Sequence, residues 1–445
     1  MFESVLVANR AEIARRIIRT VQRLGLRAVA VYSEADSDLP FVREADEAVL
    51  LGPPPPAASY LDGAKVIEAA RQSGAQAVHP GYGFLAENAQ FAAAVLDAGM
   101  TWIGPSPEAI EAMGDKVRAR NAMAAAGVPV AAGSETPLTA VDEAVAVAAE
   151  LGYPLMVKAA AGGGGIGMGV AGDETGLRSA FETARSRAER FFGSPAILLE
   201  RYLPDARHVE VQILGLADGR VVALGERDCS VQRRHQKVAE ETPSPGVSAD
   251  LRRALLAAAV RAGEAVGYRN AGTVECLVAG SEFVFLEMNT RLQVEHPVTE
   301  LVTGLDLVEQ QLRIAAGEHV SFDPDAISPA GAALELRIYA EDPQRFLPSP
   351  GLITGWREPT GDGVRVDSGY AEGTTVTPYY DPLLAKLCTY GADREEAIER
   401  ARSAVADFLI TGPKTNLPFF VELLEDPGFR SGDYDTGLLE RMRAG

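Results

Sequence analysis

Hydrophobic and polar residues alternate along the first hundred positions in a pattern that predicts short strands and amphipathic helices in turn. Residues 4–8 form an apolar run typical of a buried strand, and Ile13, Ile17 and Val21 then recur at helical spacing. The alternation continues with a strand at 27–32, a helix near 61–73, a strand near 75–79, a helix near 87–98 and a strand at 101–103. Strands that alternate with helices predict a parallel sheet covered by helices, which is an α/β arrangement.

The pattern changes after a glycine-bounded stretch at 127–133, which predicts a boundary. A smaller unit is expected over about 131–203, with a helix near 139–151, a strand at 154–157, a glycine-rich loop, a helix near 173–192 and a strand at 197–200. Longer alternating strands then predict a largely antiparallel sheet, at 207–215, 220–227, 272–279, 283–291 and 332–341. Helices are expected to cover this sheet near 248–266, 298–316, 394–409 and 416–425, so the second part is α+β.

Composition and charge limit the classes of function. The chain has 445 residues, a formal net charge of −20 and no apolar run of the ~18 to 20 residues that span a bilayer. Its start lacks the basic residues of a signal peptide, so we expect a cytoplasmic protein that does not enter a membrane. Nucleic acid is disfavoured because its phosphates require a basic surface. The three cysteines have no paired spacing and fit a reducing compartment without a zinc site.

Basic residues are nevertheless concentrated between Arg227 and Lys237. A cationic cleft in an acidic protein suits a small anionic ligand such as a nucleoside triphosphate. The alternative is a solvated run of charges.

A glycine-rich loop in the smaller unit is a candidate nucleotide-binding element. Five glycines fall within the six positions 162–167, and such backbone can approach and cradle phosphate oxygens. The loop lacks the Lys-Ser/Thr ending of a P-loop. We therefore predict a flap over a nucleotide, with Lys158 on the preceding strand near a phosphate or base. The alternative is a flexible hairpin tip.

Five polar residues recur at every second position and would share one face of an extended strand: Glu287, Asn289, Arg291, Gln293 and Glu295. Glu275 lies on an earlier apolar strand, and the short turn at 279–281 would place it beside Glu287. Oxygen ligands without a nearby His or Cys pair favour magnesium or manganese over zinc. The candidate metal ligands are therefore Glu275, Glu287 and Asn289. The alternative is an edge strand with a solvated polar face.

Four residues have the chemistry to activate an oxyanion. Arg291 can hold a planar oxyanion through two hydrogen bonds, and Glu295 can act as a general base if its pKa is raised. Lys237 and Arg337 add two cations. For either of these cations taken alone, an ordinary surface charge is the better interpretation.

Together these motifs resemble the biotin carboxylase family of ATP-grasp ligases over nearly the whole chain. The resemblance is carried by Asn9-Arg10-Ala11-Glu12, His79-Pro80-Gly81-Tyr82-Gly83-Phe84-Leu85-Ala86-Glu87-Asn88, Met113-Gly114-Asp115-Lys116, the glycine loop, the long runs 226–237 and 287–300, and Tyr379-Tyr380-Asp381-Pro382. It implies an ATP-grasp fold with an N-terminal parallel-sheet domain over 1–113, an ATP-grasp region over 114–330 that includes the small lid at about 131–203, and a mainly antiparallel C-terminal domain over 331–445.

The resemblance also implies a reaction and a set of site residues. The family phosphorylates bicarbonate with ATP to give carboxyphosphate, and then carboxylates the N1′ atom of biotin on a carrier protein. By this resemblance the ATP contacts are Lys116, Lys158, Gly164, Gly165, Glu200, Arg201, Tyr202, Leu203, His208, Gln232, His235, Glu275 and Glu287. Bicarbonate is expected at Lys237, Arg291 and Val294, with Glu295 as its base. Biotin is expected near Tyr82 and Arg337, with Arg337 stabilising the biotin enolate.

The sequence contains no Ala-Met-Lys-Met run for biotin attachment, so the chain resembles a stand-alone subunit of an acyl-CoA carboxylase. The implied partners are a biotin carboxyl carrier protein, a carboxyltransferase subunit and a second copy of the chain, with acetyl-CoA as the expected acceptor. The family usually has Arg or Lys where this chain has Ile166, and Gly where it has Ala11. Two other functions stay open: another ATP-grasp ligase that joins a carboxylate to an amine, and a nucleotide-binding regulator without turnover.

Overall fold

The computed structural model describes residues 2–160, 168–234 and 236–444. The predicted ATP contacts Gly164, Gly165 and His235 lie outside these ranges. Within them, no helix has both the length and the apolar character needed to cross a membrane. All three cysteines are buried and unpaired.

The first part of the chain forms a parallel sheet. Its strands are β1 (Ser4–Val7), β2 (Arg27–Ser33), β3 (Glu47–Gly52), β4 (Ala77–His79) and β5 (Thr101–Trp102), with helices α1 (Ala11–Arg23), α2 (Pro40–Glu44), α3 (Gly63–Ser73) and α4 (Ala89–Asp97). The order is β3-β2-β1-β4-β5, and all neighbours are parallel. Val5 and Val7 pack in one core and Leu6 in another, because helices cover both faces. The predicted α/β arrangement is confirmed, although the sequence analysis missed β3 and α2.

A smaller antiparallel sheet follows. Helices α5 (Pro107–Gly114) and α6 (Lys116–Ala125) precede α7 (Val141–Leu151), β6 (Leu155–Ala159), β7 (Gly169–Ala171), α8 (Glu174–Phe192) and β8 (Ile197–Arg201). The strand order is β7-β6-β8. Asp173 caps α8 by accepting a hydrogen bond from the Gly176 N–H at 2.7 Å. Leu155, Val157 and Phe181 are buried in the core of this unit.

The remainder is built on one large antiparallel sheet. Its elements, with the helices and short strands that accompany it, are β9 (Arg207–Gly215), β10 (Val221–Arg233), β11 (Gln236–Thr242), α9 (Ala249–Ala265), β12 (Asn270–Ala279), β13 (Glu282–Asn289), α10 (His296–Thr303), α11 (Leu307–Ala315), β14 (Ala332–Tyr339), β15 (Gly351–Leu352), β16 (Gly355–Arg357), β17 (Val364–Ser368), β18 (Thr375–Val376), β19 (Leu383–Gly391), α12 (Arg394–Asp407), β20 (Leu409–Thr411), α13 (Leu417–Glu425), α14 (Pro427–Ser431) and α15 (Leu438–Ala444). Eight of these strands pair in the order β13-β12-β9-β10-β11-β14-β19-β17. Because β11 pairs with β14, the sheet continues across residue 330.

The two faces of this sheet differ in polarity. On β9, Val209, Val211 and Ile213 pack in an apolar core, together with buried residues of α9. The residues between them, His208, Glu210 and Gln212, point to the opposite face and are also buried. A row of buried polar groups is costly unless the groups bond to one another, so this face is where a site is to be sought.

Two sequence predictions in this region are wrong. The predicted strand 283–291 ends at Asn289, and residues 290–295 form a turn before α10. The alternation that placed five polar residues on one strand face therefore does not extend beyond Asn289. The predicted helix 298–316 is two helices, because Gly304 adopts a left-handed conformation and Asp306 caps α11.

Gly215 is expected to tolerate no side chain. A Cβ atom there would lie 2.0 Å from the Tyr268 carbonyl oxygen, which belongs to the backbone leading into β12. We expect Gly215→Ala to lower the free energy of unfolding by about 1–3 kcal/mol through overpacking. Gly114→Ala is the matched control, because a Cβ atom at this end of α5 would meet no heavy atom within 4 Å. Thermal unfolding of both variants tests this; equal melting temperatures would contradict the prediction.

Candidate active site

Lys237 lies at the centre of a buried group of carboxylates. Its Nζ donates hydrogen bonds to Glu210 Oε2 at 2.6 Å, Glu275 Oε1 at 2.8 Å and Glu295 Oε1 at 2.7 Å. Strands β9, β11 and β12 and the turn before α10 bring these four side chains together. Burial opposes the charge on Lys237, but the three carboxylates raise its pKa well above the ordinary value. The interpretation of Lys237 as a surface charge is therefore wrong.

Arg337 joins the same cluster from β14. Its Nη2 donates to Glu295 Oε2 at 3.0 Å and forms an ion pair with Glu240 on the neighbouring β11. Burial raises the pKa of Glu240 to about 7, although Arg337 opposes this rise. Arg337 is buried and not a surface charge.

Glu295 is held between these two cations. Burial would raise its pKa, but Lys237 and Arg337 together hold the pKa of Glu295 well below the ordinary value. The sequence analysis required a raised pKa for a general base, and the structure corrects this: the paired Glu295 is ionised and weakly basic.

Glu275 and Glu287 are direct partners in the pairing of β12 with β13, as the short turn between the strands predicted. The Glu275 carboxylate accepts hydrogen bonds from Asn289 Nδ2 and Gln293 Nε2, both at 2.8 Å, and lies 2.9 Å from His208 Nε2. Burial alone would raise the pKa of Glu275, but Lys237 and His208 hold it well below the ordinary value. Glu275 is therefore ionised and well paired.

Glu287 is in the opposite situation. No donor in the described parts of the chain hydrogen-bonds to its carboxylate. Burial raises the pKa of Glu287, and the charge of Glu275 raises it further. A half-buried carboxylate without a hydrogen-bond donor, beside a second carboxylate, is suited to a cation.

Arg291 lies in the turn after β13, and three acceptors hold its guanidinium. Nε donates to Glu87 Oε2 at 2.9 Å, Nη2 to Asn289 Oδ1 at 2.8 Å and Nη1 to the Leu292 carbonyl at 3.3 Å. Val294, further along the turn, accepts a hydrogen bond at its carbonyl from the buried Lys386 at 2.9 Å. The turn is thus fixed by side chains rather than by strand pairing.

The predicted nucleotide contacts of the smaller unit lie beside Glu287. Lys158 on β6 pairs with Glu200 on β8 at 2.5 Å. Lys116 begins α6; burial and the nearby Lys158 lower its pKa, while Glu287 and Glu200 oppose the change. The charge of Lys116 therefore interacts with the charges of Lys158, Glu200 and Glu287.

The remaining predicted residues are more dispersed. Arg201 is exposed at the end of β8, Tyr202 and Leu203 after it are half-buried, and Tyr202 N–H donates to the Pro154 carbonyl at 3.0 Å. Tyr82 is half-buried in the loop after β4, where its carbonyl accepts a hydrogen bond from Asn9 at 2.7 Å.

Gln232 completes the network on the side of His208. Its Nε2 lies 2.7 Å from His208 Nδ1 and donates to the Cys229 carbonyl at 2.8 Å. Gln232, His208 and Glu275 therefore form one continuous chain of contacts into the cluster around Lys237.

Several residues of the site were missed from the sequence. Arg227 is fully buried and donates to Glu210 Oε1 at 2.5 Å and Gln293 Oε1 at 2.6 Å, so it orients two residues of the cluster. Glu210 had a usable signal, because the strand 207–215 alternates polar and apolar residues as the segment 287–295 does. Glu87 lies in the motif 79–88 that carries the family resemblance, but the motif assigned it no role, and for Glu240 the sequence offered no comparable pattern.

Family models and a curated relative match nearly the whole chain. The family models described as biotin carboxylase N-terminal domain, carbamoyl-phosphate synthase L chain ATP binding domain, and biotin carboxylase C-terminal domain match residues 1–110, 115–322 and 335–441. A biotin carboxylase of Halalkalibacterium halodurans is 52% identical, over 99% of this chain and 97% of its own.

Two solved structures have the same fold. Biotin carboxylase from Campylobacter jejuni, in a β-γ-ATP complex, has 42% identity and a TM-score of 0.96 over 99% of each chain. The biotin carboxylase domain dimer of Hydrogenobacter thermophilus 2-oxoglutarate carboxylase, in complex with MgADP, ADP and bicarbonate, has 44% identity and a TM-score of 0.95, over 99% of this chain and 98% of its own.

The fold and the site define a ligase of the ATP-grasp class. Within that class, the chain belongs to the biotin carboxylase family, which carboxylates biotin at the expense of ATP.

Proposed function

We propose that this chain phosphorylates bicarbonate with ATP to form carboxyphosphate and then carboxylates N1′ of biotin on a biotin carboxyl carrier protein. The observation that carries the proposal is the hydrogen-bonded group Lys237, Glu295 and Arg337 next to the paired acids Glu275 and Glu287. A base, two cations and two acidic metal ligands in one buried place are the groups that this reaction requires.

Glu275, Glu287 and Asn289 are proposed to hold magnesium, or manganese in its place. Their fit rests on Glu287, which is half-buried, is the strand partner of Glu275 and has no hydrogen-bond donor in the described ranges. Asn289 offers an amide oxygen, which Arg291 holds in this structure. The bound metal would neutralise charge on the phosphate oxygens of ATP.

Arg291, Lys237 and the backbone of Val294 are proposed to bind bicarbonate. Glu295 takes its proton, a bicarbonate oxygen attacks the γ-phosphorus, and ADP leaves. Because Lys237 and Arg337 hold down the pKa of Glu295, its basicity is expected to rise when substrates draw these cations away. Bicarbonate and its base Glu295 would thus compete for the same cationic side chains.

The ATP-binding surface is proposed to include Lys116, Lys158 and Glu200, whose charges interact beside Glu287. The other proposed contacts are Gly164, Gly165, Arg201, Tyr202, Leu203, His208, Gln232 and His235. We further propose that residues 1–113, 114–330 and 331–445 act as three domains, with 131–203 as the lid. The matched family models support this division.

The proposed partners are the biotinylated carrier protein, a carboxyltransferase subunit and a second copy of the chain. The dimer of the Hydrogenobacter domain supports the last of these. The proposed complex is an acyl-CoA carboxylase, with acetyl-CoA as the acceptor to test first. The proposed site residues bind ATP, bicarbonate and biotin, so the choice of acyl-CoA acceptor is assigned to the carboxyltransferase subunit.

The proposed function is tested by measuring ADP release from purified protein with magnesium and ATP. We expect release to depend on bicarbonate and to be stimulated by free biotin, and labelled bicarbonate to appear in carboxybiotin. ADP release that is indifferent to bicarbonate but requires another carboxylate and an amine would overturn the proposal. No ADP release with biotinylated carrier present would also overturn it.

Arg337→Ala is expected to separate the two half-steps. Arg337 is proposed to stabilise the biotin enolate, with Tyr82 lining the biotin pocket, so carboxybiotin formation should fall by about 10²- to 10³-fold. Bicarbonate-dependent ATP hydrolysis should fall far less, because Lys237 and Arg291 still hold the anion. The exposed Arg345 supplies a control, Arg345→Ala. Equal losses in both assays would contradict the role of Arg337.

A further inference from the structure

Glu87 connects the loop after β4 to the turn that carries the bicarbonate-binding residues. Its Oε2 accepts a hydrogen bond from Arg291 Nε at 2.9 Å, and its Oε1 accepts one from the Thr290 N–H at 3.1 Å. One carboxylate thus holds both the side chain of Arg291 and the backbone that leads into it. Neither the sequence motifs nor the proposed site residues gave Glu87 a role.

Glu87 differs from the other acceptors of Arg291 in where it comes from. Asn289 ends β13 and Leu292 lies in the turn that follows, so both are within two positions of Arg291 along the chain. Among the described residues, Glu87 is the one acceptor of this guanidinium from a distant part of the chain. Glu87 therefore ties the Arg291 side chain itself to the loop after β4.

The geometry also determines which part of Arg291 stays available. A guanidinium has five N–H groups, one on Nε and two on each terminal nitrogen. The three observed bonds use the Nε group and one group on each terminal nitrogen. One N–H therefore remains on each terminal nitrogen, and these two groups can be donated to an oxyanion.

We propose that Glu87 is the positioning residue that aims the free terminal N–H groups of Arg291 at bicarbonate. This inference rests on the proposed function, because it assigns bicarbonate to Arg291. Glu87 itself touches no substrate in the proposal.

An ordinary surface ion pair is the competing explanation for this contact. The side chain of Glu87 is 42% exposed, and exposed pairs contribute about 0–1 kcal/mol to stability. Arg291, however, is only 20% exposed, and Glu87 also accepts a backbone N–H. The two explanations differ in what they predict: a surface pair affects no kinetic constant, whereas a positioning residue affects the KM for bicarbonate.

The test compares Glu87→Gln and Glu87→Ala with wild type. The amide of Gln retains one acceptor oxygen, so it can keep one of the two bonds, whereas Ala keeps neither. We expect the KM for bicarbonate to rise about 10-fold in Glu87→Gln and about 100-fold in Glu87→Ala. The KM for ATP and the melting temperature should stay at their wild-type values. Glu111→Gln, at an exposed position of α5, is the matched control.

A double variant shows whether Glu87 acts through Arg291. In an Arg291→Ala background, Glu87→Ala should cause no further change in the KM for bicarbonate. An additional rise there, or equal rises in the KM for ATP and for bicarbonate, would overturn the inference. So would an unchanged KM for bicarbonate in a wild-type background. If wild type itself shows no bicarbonate-dependent ATP hydrolysis, it is the proposed function that fails.

Discussion

Glu295→Gln is expected to reduce bicarbonate-dependent ATP hydrolysis by about 10²- to 10⁴-fold, the usual contribution of a positioned general base. Gln has the same shape but no carboxylate to accept a proton. Glu295 is 2% exposed and bonds to both Lys237 and Arg337. Lys237 retains two carboxylates in the variant, so the fold should be preserved. The measurement is kcat for ADP release at saturating bicarbonate.

Glu240→Gln is the matched control for this prediction. Glu240 is also buried and pairs with Arg337, but within the described residues the hydrogen bonds of Lys237 go to Glu210, Glu275 and Glu295 and not to Glu240. If Glu295 acts as the base, Glu240→Gln should lose much less ATP hydrolysis than Glu295→Gln. Similar losses would mean that both variants act by displacing Arg337. A Glu295→Gln enzyme within tenfold of wild type would refute the assignment of the base.

Glu287→Gln is expected to abolish magnesium-dependent turnover, with a loss of at least about 10²-fold, because it removes a charged ligand of the metal. The physical reason lies in the unequal pairing of the two acids. Glu275 accepts three hydrogen bonds and lies 2.9 Å from His208 Nε2, whereas Glu287 accepts none among the residues described. A bound cation would then neutralise the negative charge of the Glu287 carboxylate. The measurement is ADP release titrated with magnesium and with manganese.

Stability provides a second measurement on the same variant. Burial and Glu275 raise the pKa of Glu287, so its charged form is less favourable in the folded chain than in the unfolded chain and costs stability at neutral pH. Without metal, Glu287→Gln should therefore melt no lower than wild type. Magnesium should raise the melting temperature of wild type but not of the variant. Normal turnover, or a full magnesium effect in the variant, would exclude Glu287 as a ligand.

The local elements of the fold were predictable because their causes are local. Periodicity gave β1, α1 and the strands β9, β12 and β14. The turn at 279–281 is short enough that only a hairpin could connect its strands, and Gly280 adopts the left-handed conformation that such a turn requires. The pairing of Glu275 with Glu287 followed from that turn.

The same reasoning failed where a distant contact replaced a local preference. The alternation of polar residues continues to Glu295, but the strand ends at Asn289 because the next backbone N–H bonds to Glu87 rather than to a neighbouring strand. Gln293 and Glu295 reach the cluster from a turn instead. The polar side chains meet in one cluster as expected, but residues 290–295 reach it from a turn and not from an extended strand.

The sequence by itself determined the class of fold, the family and the acidic pair, because periodicity, short turns and long motifs are properties of neighbouring residues. Only the tertiary structure decided which charges are buried together. Lys237 and Arg337 resemble surface charges in the sequence, and both come to bind Glu295 because β11 lies next to β14. Burial and pairing set the pKa of each group, and both depend on residues far apart in the chain. For that reason the low pKa of Glu295 and the anchoring of Arg291 by Glu87 became visible only in three dimensions.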